Sequence, residues 1–316
     1  MTKTRKVSLI IPCYNEEATL IKLYDELNKS TDNLAGYVFE YIFIDDGSRD
    51  RTFEILKQIS RDGKVNYIKL SRNFGKESAM FAGLEAAKGE AVIIMDADLQ
   101  HPPELIADLL GKYEQGFDQV VAKRTRDGEH KGRKLITQLY YKVINRFIDV
   151  ELNDGFGDFR LLSRKAVNAL LALQETNRFS KGLFSWIGFE TATIEFTNRV
   201  REAGQSKFSF RGLLNYAIDG LLSFNSKPLR LLIYTALGIL SVSLMYILYI
   251  LFGVLISGIE VPGYFTLISA ILLLSSVQLL SIGVLGEYIG RIYIEIKRRP
   301  NYLVDETNID KDKTND

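Results

Sequence analysis

The chain has 316 residues, with 40 lysines and arginines against 39 aspartates and glutamates, which gives a formal net charge of +1. That balance argues against a nucleic-acid-binding protein, because such proteins usually carry a basic excess on one face. One cysteine and two histidines argue against a disulfide framework and against a zinc site built from cysteines or several histidines. A metal ion, if one binds, is therefore expected on carboxylates.

The N-terminal 125 residues alternate short apolar runs with segments of helical length. The apolar runs predict buried strands at Val7–Ile11, Tyr41–Ile44, Tyr67–Leu70, Ala91–Met95 and Gln119–Ala122. The segments between them predict helices at Glu17–Asn28, Asp50–Ser60, Lys76–Lys88 and Pro102–Gln115. This alternation predicts an α/β domain with a mainly parallel sheet covered on both faces. In such a sheet, ligands bind beyond the carboxyl ends of the strands.

Polar residues follow each of the first four predicted strands. The four sets are Pro12–Glu17, Asp45–Asp50, Ser71–Lys76 and Asp96–Pro102. Any one set could serve only in turns or helix caps, where Asp and Ser are common. Four sets at one edge of a sheet favour a binding site.

Asp96 and Asp98 come directly after the apolar run that predicts the fourth strand. In an extended segment, residues two apart point the same way, so both carboxylates could hold one hard cation. Mg²⁺ or Mn²⁺ is the natural choice for oxygen ligands. Gln100 continues the alternation and could supply a third oxygen.

Two long apolar stretches without a charge lie towards the C-terminus, at Leu231–Ile256 and Tyr264–Leu285. Each exceeds the roughly 20 residues that a helix needs to cross a bilayer. The alternative is a buried helical hairpin in a soluble core. Lysines and arginines flank the pair at both ends and are absent from the turn between them, so both termini are expected in the cytoplasm of a multi-pass plasma-membrane protein.

The strings VSLIIPCYNEE, FIDDGSRDRT, LSRNFGKESA and MDADLQHPPE resemble glycosyltransferase family 2, whose catalytic domain has the GT-A fold. With DGFGDFRLLSR, REAGQSKFSF and the two apolar stretches, the resemblance narrows to the polyprenyl-phosphate glycosyltransferases. These include bacterial bactoprenol glucosyltransferases and dolichol-phosphate mannose synthase. The resemblance covers essentially residues 5–300 and does not identify the sugar.

The resemblance implies roles for individual residues. The predicted donor-nucleotide site comprises Pro12, Tyr14, Asn15, Glu17, Asp46, Arg72, Lys76 and Asp96. The implied metal ligands are Asp96, Asp98 and Gln100, and the implied catalytic residues are Asp158 and Asp98. The predicted acceptor-phosphate site comprises Arg124, Arg133, Arg201, Ser206 and Lys207.

The chemistry of the implied reaction limits what the protein must supply. A divalent cation on the two aspartates would offset the charge of a departing diphosphate. A phosphate monoester is already ionised near neutral pH, so Asp158 is expected mainly to orient the acceptor or a cation, with a general base as its alternative role. The expected reaction is inverting transfer of a hexose, foremost glucose from UDP-glucose, to undecaprenyl or another polyprenyl phosphate for cell-envelope glycosylation.

Two alternatives stay open at this point. UDP-N-acetylglucosamine or another nucleotide sugar could be the donor. A membrane scaffold or lipid-sugar transporter with a vestigial transferase domain would belong to a different class of protein. A homo-oligomer is compatible with either, because the apolar stretches could pack several copies together.

The sequence predicts four regions. Residues 1–206 would form the cytoplasmic GT-A domain, and 207–228 an amphipathic helix at the bilayer surface or packed on that domain. Residues 229–290 would form two transmembrane helices, and 291–316 a basic segment followed by a tail that is expected to be disordered after Pro300.

Overall fold

The structure, a computed structural model, describes residues 4–125, 155–173, 175, 178–197, scattered positions from 238 to 256, and 263–309. The strands are β1 (Arg5–Cys13), β2 (Tyr37–Asp45), β3 (Val65–Leu70), β4 (Ala91–Ile94), β5 (Gln119–Arg124), β6 (Phe156–Ser163), β7 (Thr191–Phe196) and β8 (Val304–Thr307). The α-helices are α1 (Leu20–Thr31), α2 (Thr52–Ile59), α3 (Lys76–Ala86), α4 (Leu105–Glu114), α5 (Arg164–Ala172), α6 (Ser180–Trp186) and α7 (Tyr264–Ile296).

The strands form one mixed sheet in the order β7-β5-β6-β4-β1-β2-β3-β8. Strands β1 to β5 and β7 run in the same direction, while β6 and β8 are antiparallel to their neighbours. The predicted α/β domain with a mainly parallel sheet is therefore confirmed. As a consequence, the carboxyl ends of six strands and the amino ends of β6 and β8 lie along one side of the sheet, which we call the carboxyl edge.

Apolar side chains from both faces of the sheet are buried, which explains why the central strands are continuous apolar runs. Leu9 and Ile11 of β1 pack in a cluster with α1 and α4, while Ile10 between them packs in a second cluster with α3 and α5. Helix α3 lies close to the sheet at Gly83, where an added Cβ would stand 2.8 Å from the Cδ1 of Ile44. This close packing fixes where the N-terminus of α3 meets the carboxyl edge.

The C-terminal segment returns to the sheet as β8. This strand pairs antiparallel with β3, and the Nζ of Lys69 lies 2.7 Å from the Oδ2 of Asp305. The backbone N–H of Tyr67 donates to the Oδ1 of Asn308 at 2.7 Å. The prediction of a disordered tail after Pro300 is wrong for residues 301–309, because backbone pairing with β3 and these side-chain contacts hold them in place.

Helix α7 contains the second predicted apolar span. Within the ranges given above, no helix combines the length and the hydropathy that a membrane crossing requires. The predicted helix 207–228 lies outside the described residues, as does most of the first predicted span, Leu231–Ile256.

Candidate active site

The loop after β1 and the loop after β2 are joined by side-chain to backbone hydrogen bonds. The Oδ1 of Asn15 accepts from the backbone N–H of Arg49 at 2.8 Å, and the Asn15 N–H donates to the Oγ of Ser48 at 2.9 Å. The Oε2 of Glu17 accepts from the N–H of Arg51 at 3.0 Å. Asn15 and Glu17 therefore hold two neighbouring loops together at the carboxyl edge, where the donor nucleotide was predicted.

Pro12 and Tyr14 lie at the same edge. Pro12 pairs in register with Ile44 near the end of β2, and both Pro12 and Tyr14 are half-buried. The four donor-site residues predicted after the first strand thus occupy one continuous segment of this edge.

Asp46 is buried and anchors the loop that leads into α3. Its Oδ1 accepts from the N–H of Phe74 at 2.7 Å, and its Oδ2 accepts from the N–H of Gly75 at 2.9 Å. Burial raises the pKa of Asp46, and these two donors partly oppose that rise. Arg72 in the same loop is exposed, with its guanidinium carbon 4.8 Å from the centre of the Phe74 ring.

Lys76, the first residue of α3, joins two of the predicted acids. Its Nζ lies 2.5 Å from the Oδ1 of Asp96 and 2.6 Å from the Oδ2 of Asp158. The side chain of Asp158 is 16% exposed and that of Asp96 is 27% exposed, so neither carboxylate is fully solvated. One ammonium group therefore bridges two carboxylates at the edge of the sheet.

The sheet register explains how Asp96 and Asp158 come together across a large gap in sequence. Strands β4 and β6 pair antiparallel, with Ile94 opposite Arg160. Extending that register by two residues places Asp96 opposite Asp158. The antiparallel β6 thus brings an acid to the edge from its amino end.

The contacts around Lys76 set the charge states of its neighbours. Burial alone would raise the pKa of Asp158, but Lys76 and Lys181 together hold it well below its usual range. Burial alone would lower the pKa of Lys76, yet Asp158 and Asp96 raise it above its ordinary value. Lys76 and Asp158 are therefore an ion pair at neutral pH.

The segment that carries Asp98 bends sharply. Leu99 has φ 62°, a left-handed conformation, and the N–H of Gln100 donates to the Oδ1 of Asp98 at 3.1 Å. The alternation expected of an extended segment therefore does not continue to Gln100. Asp98 is 9% exposed, and the N–H of Asp96 donates to the Nδ1 of His101 at 3.2 Å.

The donor set suits a hard divalent cation that shares its ligands with a substrate. Asp96 and Asp98 lie two residues apart in the segment that follows β4, and each offers carboxylate oxygens. In the part of the chain that the structure describes, no group of three or more His, Cys, Asp or Glu side chains is arranged to hold a metal ion. Mg²⁺ commonly binds through one or two carboxylates and completes its shell with waters and substrate phosphates.

Two charged residues near Asp158 did not enter the sequence predictions. Glu77 accepts hydrogen bonds from the N–H of Ser180 at 3.2 Å and from its hydroxyl, and burial raises the pKa of Glu77 to about 7. Arg160 is 3% exposed, lies over the ring of Phe184 and donates to the carbonyl of Gly157 at 2.6 Å. A charged residue inside the apolar run of β6 was a signal for Arg160, while Glu77 had none.

The predicted acceptor-phosphate residues are mostly beyond what the structure describes. Arg124 is exposed at the end of β5, where its N–H donates to the carbonyl of Gly155 at 3.1 Å. The other four lie outside the described residues: Arg133, Arg201, Ser206 and Lys207.

Known proteins are similar to this chain over nearly its whole length. "Putative glycosyltransferase CsbB" of Bacillus subtilis (strain 168) is 53% identical over 304 residues, which are 96% of this chain and 92% of the relative. "SfII prophage-derived bactoprenol glucosyl transferase" of Shigella flexneri is 41% identical over 305 residues, 96% of this chain and 98% of the relative. Glucosyl-3-phosphoglycerate synthase from Mycobacterium tuberculosis superposes with a TM-score of 0.45 and 22% identity, over 69% of this chain and 79% of that chain.

Family models match both parts of the molecule. The model of a "GtrB C-terminal hairpin" matches residues 227–292, the region of the two apolar stretches. The model "Glycosyl transferase family 2" matches residues 8–171, which hold β1 to β6 and the joined acids Asp96 and Asp158. The resemblance noted in the sequence is thereby confirmed: the chain belongs to glycosyl transferase family 2 and is a glycosyltransferase.

Proposed function

We propose that this enzyme transfers a hexose, foremost glucose from UDP-glucose, to the phosphate of undecaprenyl or another polyprenyl lipid, with inversion at the anomeric carbon. The observation that carries the proposal is the convergence of Asp96, Asp158 and Lys76 at the carboxyl edge of the sheet. The choice of sugar and lipid carrier is supported by the similarity to the Shigella relative, which is named a bactoprenol glucosyl transferase.

The donor site would be formed by the loops after β1, β2 and β3. Asn15 and Glu17 fix the first two loops to each other, and Asp46 fixes the third. Preorganised loops let a nucleotide bind without an additional ordering cost. Asp96 and Asp98 would hold Mg²⁺ or Mn²⁺, which would act as a Lewis acid towards the departing diphosphate.

Asp158 is suited to orient the acceptor rather than to remove a proton from it. Although burial alone would raise the pKa of Asp158, Lys76, Lys181 and Arg160 hold it well below the usual range, and so weak a base is a poor proton acceptor at neutral pH. The phosphate acceptor carries its own ionised oxygen and has little need of a base. We assign the binding of that phosphate to Arg124 together with Arg133, Arg201, Ser206 and Lys207.

A membrane-embedded hairpin would bring the enzyme to a lipid that cannot leave the bilayer at low cost. Two observations support a membrane-embedded hairpin. Residues 227–292 match the hairpin model. Apolar side chains on α7 are exposed, including Leu267 at 63%, Leu279 at 69% and Ile282 at 63%. Exposed apolar surface of this extent marks a lipid or protein contact. We place both termini in the cytoplasm because lysines and arginines flank the hairpin.

The proposal is tested by transfer of radiolabelled sugar to undecaprenyl phosphate, using purified full-length protein in detergent. UDP-glucose, UDP-N-acetylglucosamine and GDP-mannose are compared with and without a chelator. We expect glucose to enter the lipid fraction, the chelator to stop the transfer, and added Mg²⁺ or Mn²⁺ to restore it. Labelling from UDP-N-acetylglucosamine instead would show that the proposed sugar is wrong and the proposed class of reaction is right.

Replacement of both metal-site acids separates catalysis from a scaffold function. The variant with Asp96→Ala and Asp98→Ala should lose transfer, while Asp108→Ala, the same change on the exposed face of α4, should keep it. Undiminished transfer by the double variant would show that the assigned site is wrong. Absence of lipid-dependent release of the nucleoside diphosphate from every donor, UDP or GDP, in the wild type would favour the scaffold or transporter.

A further inference from the structure

Lys76 lies where a positive charge is needed between two facing acids. Asp96 and Asp158 stand opposite each other across the extended β4–β6 register, and like charges so placed repel. The Nζ of Lys76 reaches both, at 2.5 Å and 2.6 Å. The ammonium group thus supplies a positive charge to two acids that would otherwise attract a cation from solution.

The same contact places Lys76 on an acid that the proposed function assigns to the metal ion. Asp96 cannot hold both an ammonium group and a divalent cation without the two positive charges coming close together. The side chain of Lys76 is 42% exposed, and its four-carbon stem is flexible, so the ammonium group has room to move away.

We propose that Lys76 is a resident counter-cation that competes with the divalent metal ion for Asp96, so that the metal binds well only together with the nucleotide diphosphate. This inference rests on the proposed function. The diphosphate supplies oxygen ligands to the metal and an alternative partner for the ammonium group. Lys76 is therefore a positioning residue that couples metal binding to donor binding, in addition to its predicted place in the donor site.

A physical consequence of this coupling is that the free enzyme holds its metal weakly. In the portion of the chain described here, the cation would find two carboxylates rather than a group of three or more acidic, His or Cys ligands. One of those two carboxylates is already paired. Because binding free energies are reciprocal, a diphosphate that releases Lys76 must strengthen metal binding by the factor by which the metal strengthens diphosphate binding.

The test measures Mn²⁺ binding by electron paramagnetic resonance, using the full-length protein without nucleotide. Lys76→Met should bind Mn²⁺ about tenfold more tightly than the wild type, because a positive charge next to the ligand has been removed. Lys69→Met removes a lysine of β3 that is paired with Asp305 of β8 rather than with the acids of the site, and it should leave Mn²⁺ affinity unchanged. UDP should strengthen Mn²⁺ binding more in the wild type than in Lys76→Met.

Lys76→Gln keeps a hydrogen-bond donor between the acids, and it replaces Lys76→Met if thermal melting shows that the methionine variant does not fold. Mn²⁺ affinity equal to or weaker than that of the wild type in the folded variant overturns the inference. The variant with Asp96→Ala and Asp98→Ala identifies which idea has failed. If it loses Mn²⁺ while the Lys76 variants match the wild type, the competition is wrong and the metal site stands. If it keeps Mn²⁺ with wild-type affinity, the metal site and the competition are both wrong.

Discussion

Glu77 connects the active-site edge to α6 through one side chain. Its carboxylate accepts from the N–H and the hydroxyl of Ser180, the first residue of α6, and it follows Lys76 directly in the chain. Burial raises its pKa from 4.5 to about 7. Such a residue ties the start of α3 to the start of α6 and makes that tie sensitive to pH.

Glu77→Gln should change the pH dependence of stability. With its pKa raised on folding, Glu77 gives stability below about pH 4.5 that is lost as pH rises through about 7. The variant does not titrate here, so its free energy of unfolding should rise relative to that of the wild type as the pH goes from about 4.5 to about 7. The expected rise is on the order of 1–3 kcal/mol, or about 2–4 °C in Tm for each kcal/mol. Thermal melting from pH 5 to pH 8 measures the difference.

Glu54→Gln is the matched control, since Glu54 is an acid of α2 whose side chain is 74% exposed. A Tm difference between wild type and Glu77→Gln that stays constant from pH 5 to pH 8 would show that Glu77 is not buried as described.

Gly47 allows two loops of the proposed donor site to pack closely, because it has no side chain. It has φ 67°, and an added Cβ would stand 2.6 Å from the backbone nitrogen of Asn73 in the loop before α3. Gly47→Ala should therefore cost about 3 kcal/mol, from strain and from displacement of that loop, and lower Tm by roughly 6–12 °C. UDP affinity, measured by calorimetry, should fall as well.

Gly63→Ala separates backbone strain from the steric clash. Gly63 has φ 73°, but an added Cβ would meet no atom within 4 Å. This variant should lose only about 1 kcal/mol and keep its affinity for UDP. Equal losses of Tm in the two variants would mean that the two loops do not touch at Gly47.

At the scale of elements, β8 is an outermost strand of the sheet. It pairs with the backbone of β3, which would otherwise be exposed. The N–H of Ser71 donates to the carbonyl of Leu303 at 2.9 Å, at the start of the loop that leads to Lys76 and α3. The hydroxyl of Tyr302 donates to Glu85 of α3, so the same segment also holds that helix. An exposed edge strand is prone to pair with other chains.

Removal of residues 302–316 should therefore destabilise the sheet and promote aggregation. Loss of the pairing with β3 and of the Tyr302 contact should cost about 2–4 kcal/mol, since each hydrogen bond contributes about 1 kcal/mol. Thermal melting and size-exclusion chromatography measure the two effects. Removal of residues 310–316 alone keeps β8 and should change neither, whereas identical behaviour of the two truncated proteins would count against a stabilising β8.

Comparison of predicted and observed helices and strands shows which of them depend only on nearby residues in the sequence. Strands β1 to β5 and helices α1 to α4 lie within a few residues of their predicted positions, because each apolar run sits between polar or glycine-containing turns. Strand β8 was missed because Val304–Thr307 is short and largely polar, and its partner β3 lies more than 230 residues earlier in the chain. Its pairing depends on contacts that no local pattern contains.

The candidate active site likewise combines features that are local in sequence with contacts that are not. The spacing of Asp96 and Asp98 was visible in the sequence, and so was the delivery of polar residues to one edge of a parallel sheet. The contact of Asp158 with Lys76 depends on the register of the antiparallel β6 and on where α3 begins. Neither can be obtained from spacing within a segment, so the ion pair could not be predicted.

For the molecule as a whole, the proposed membrane topology can be tested with single cysteines. Cys13 is the sole cysteine, is 2% exposed, and has a thiol whose pKa is raised by burial, so it should not react with maleimides. In intact bacteria, a membrane-impermeant maleimide should label Ser257→Cys, in the turn between the apolar stretches. Lys313→Cys, in the C-terminal tail, should be labelled only after permeabilisation. The reverse pattern would mean that the active site faces outward.

Strands β7 and β8 are the two outermost strands of the sheet, and the chain runs from one to the other through the hairpin region. Seven strand spacings separate them, a width of about 34 Å. In the proposed membrane topology, the catalytic domain would therefore be connected to the hairpin from two opposite sides of the sheet. Two connections would resist rotation of the domain about the membrane normal, so the active site would keep a constant orientation towards the lipid in successive turnovers.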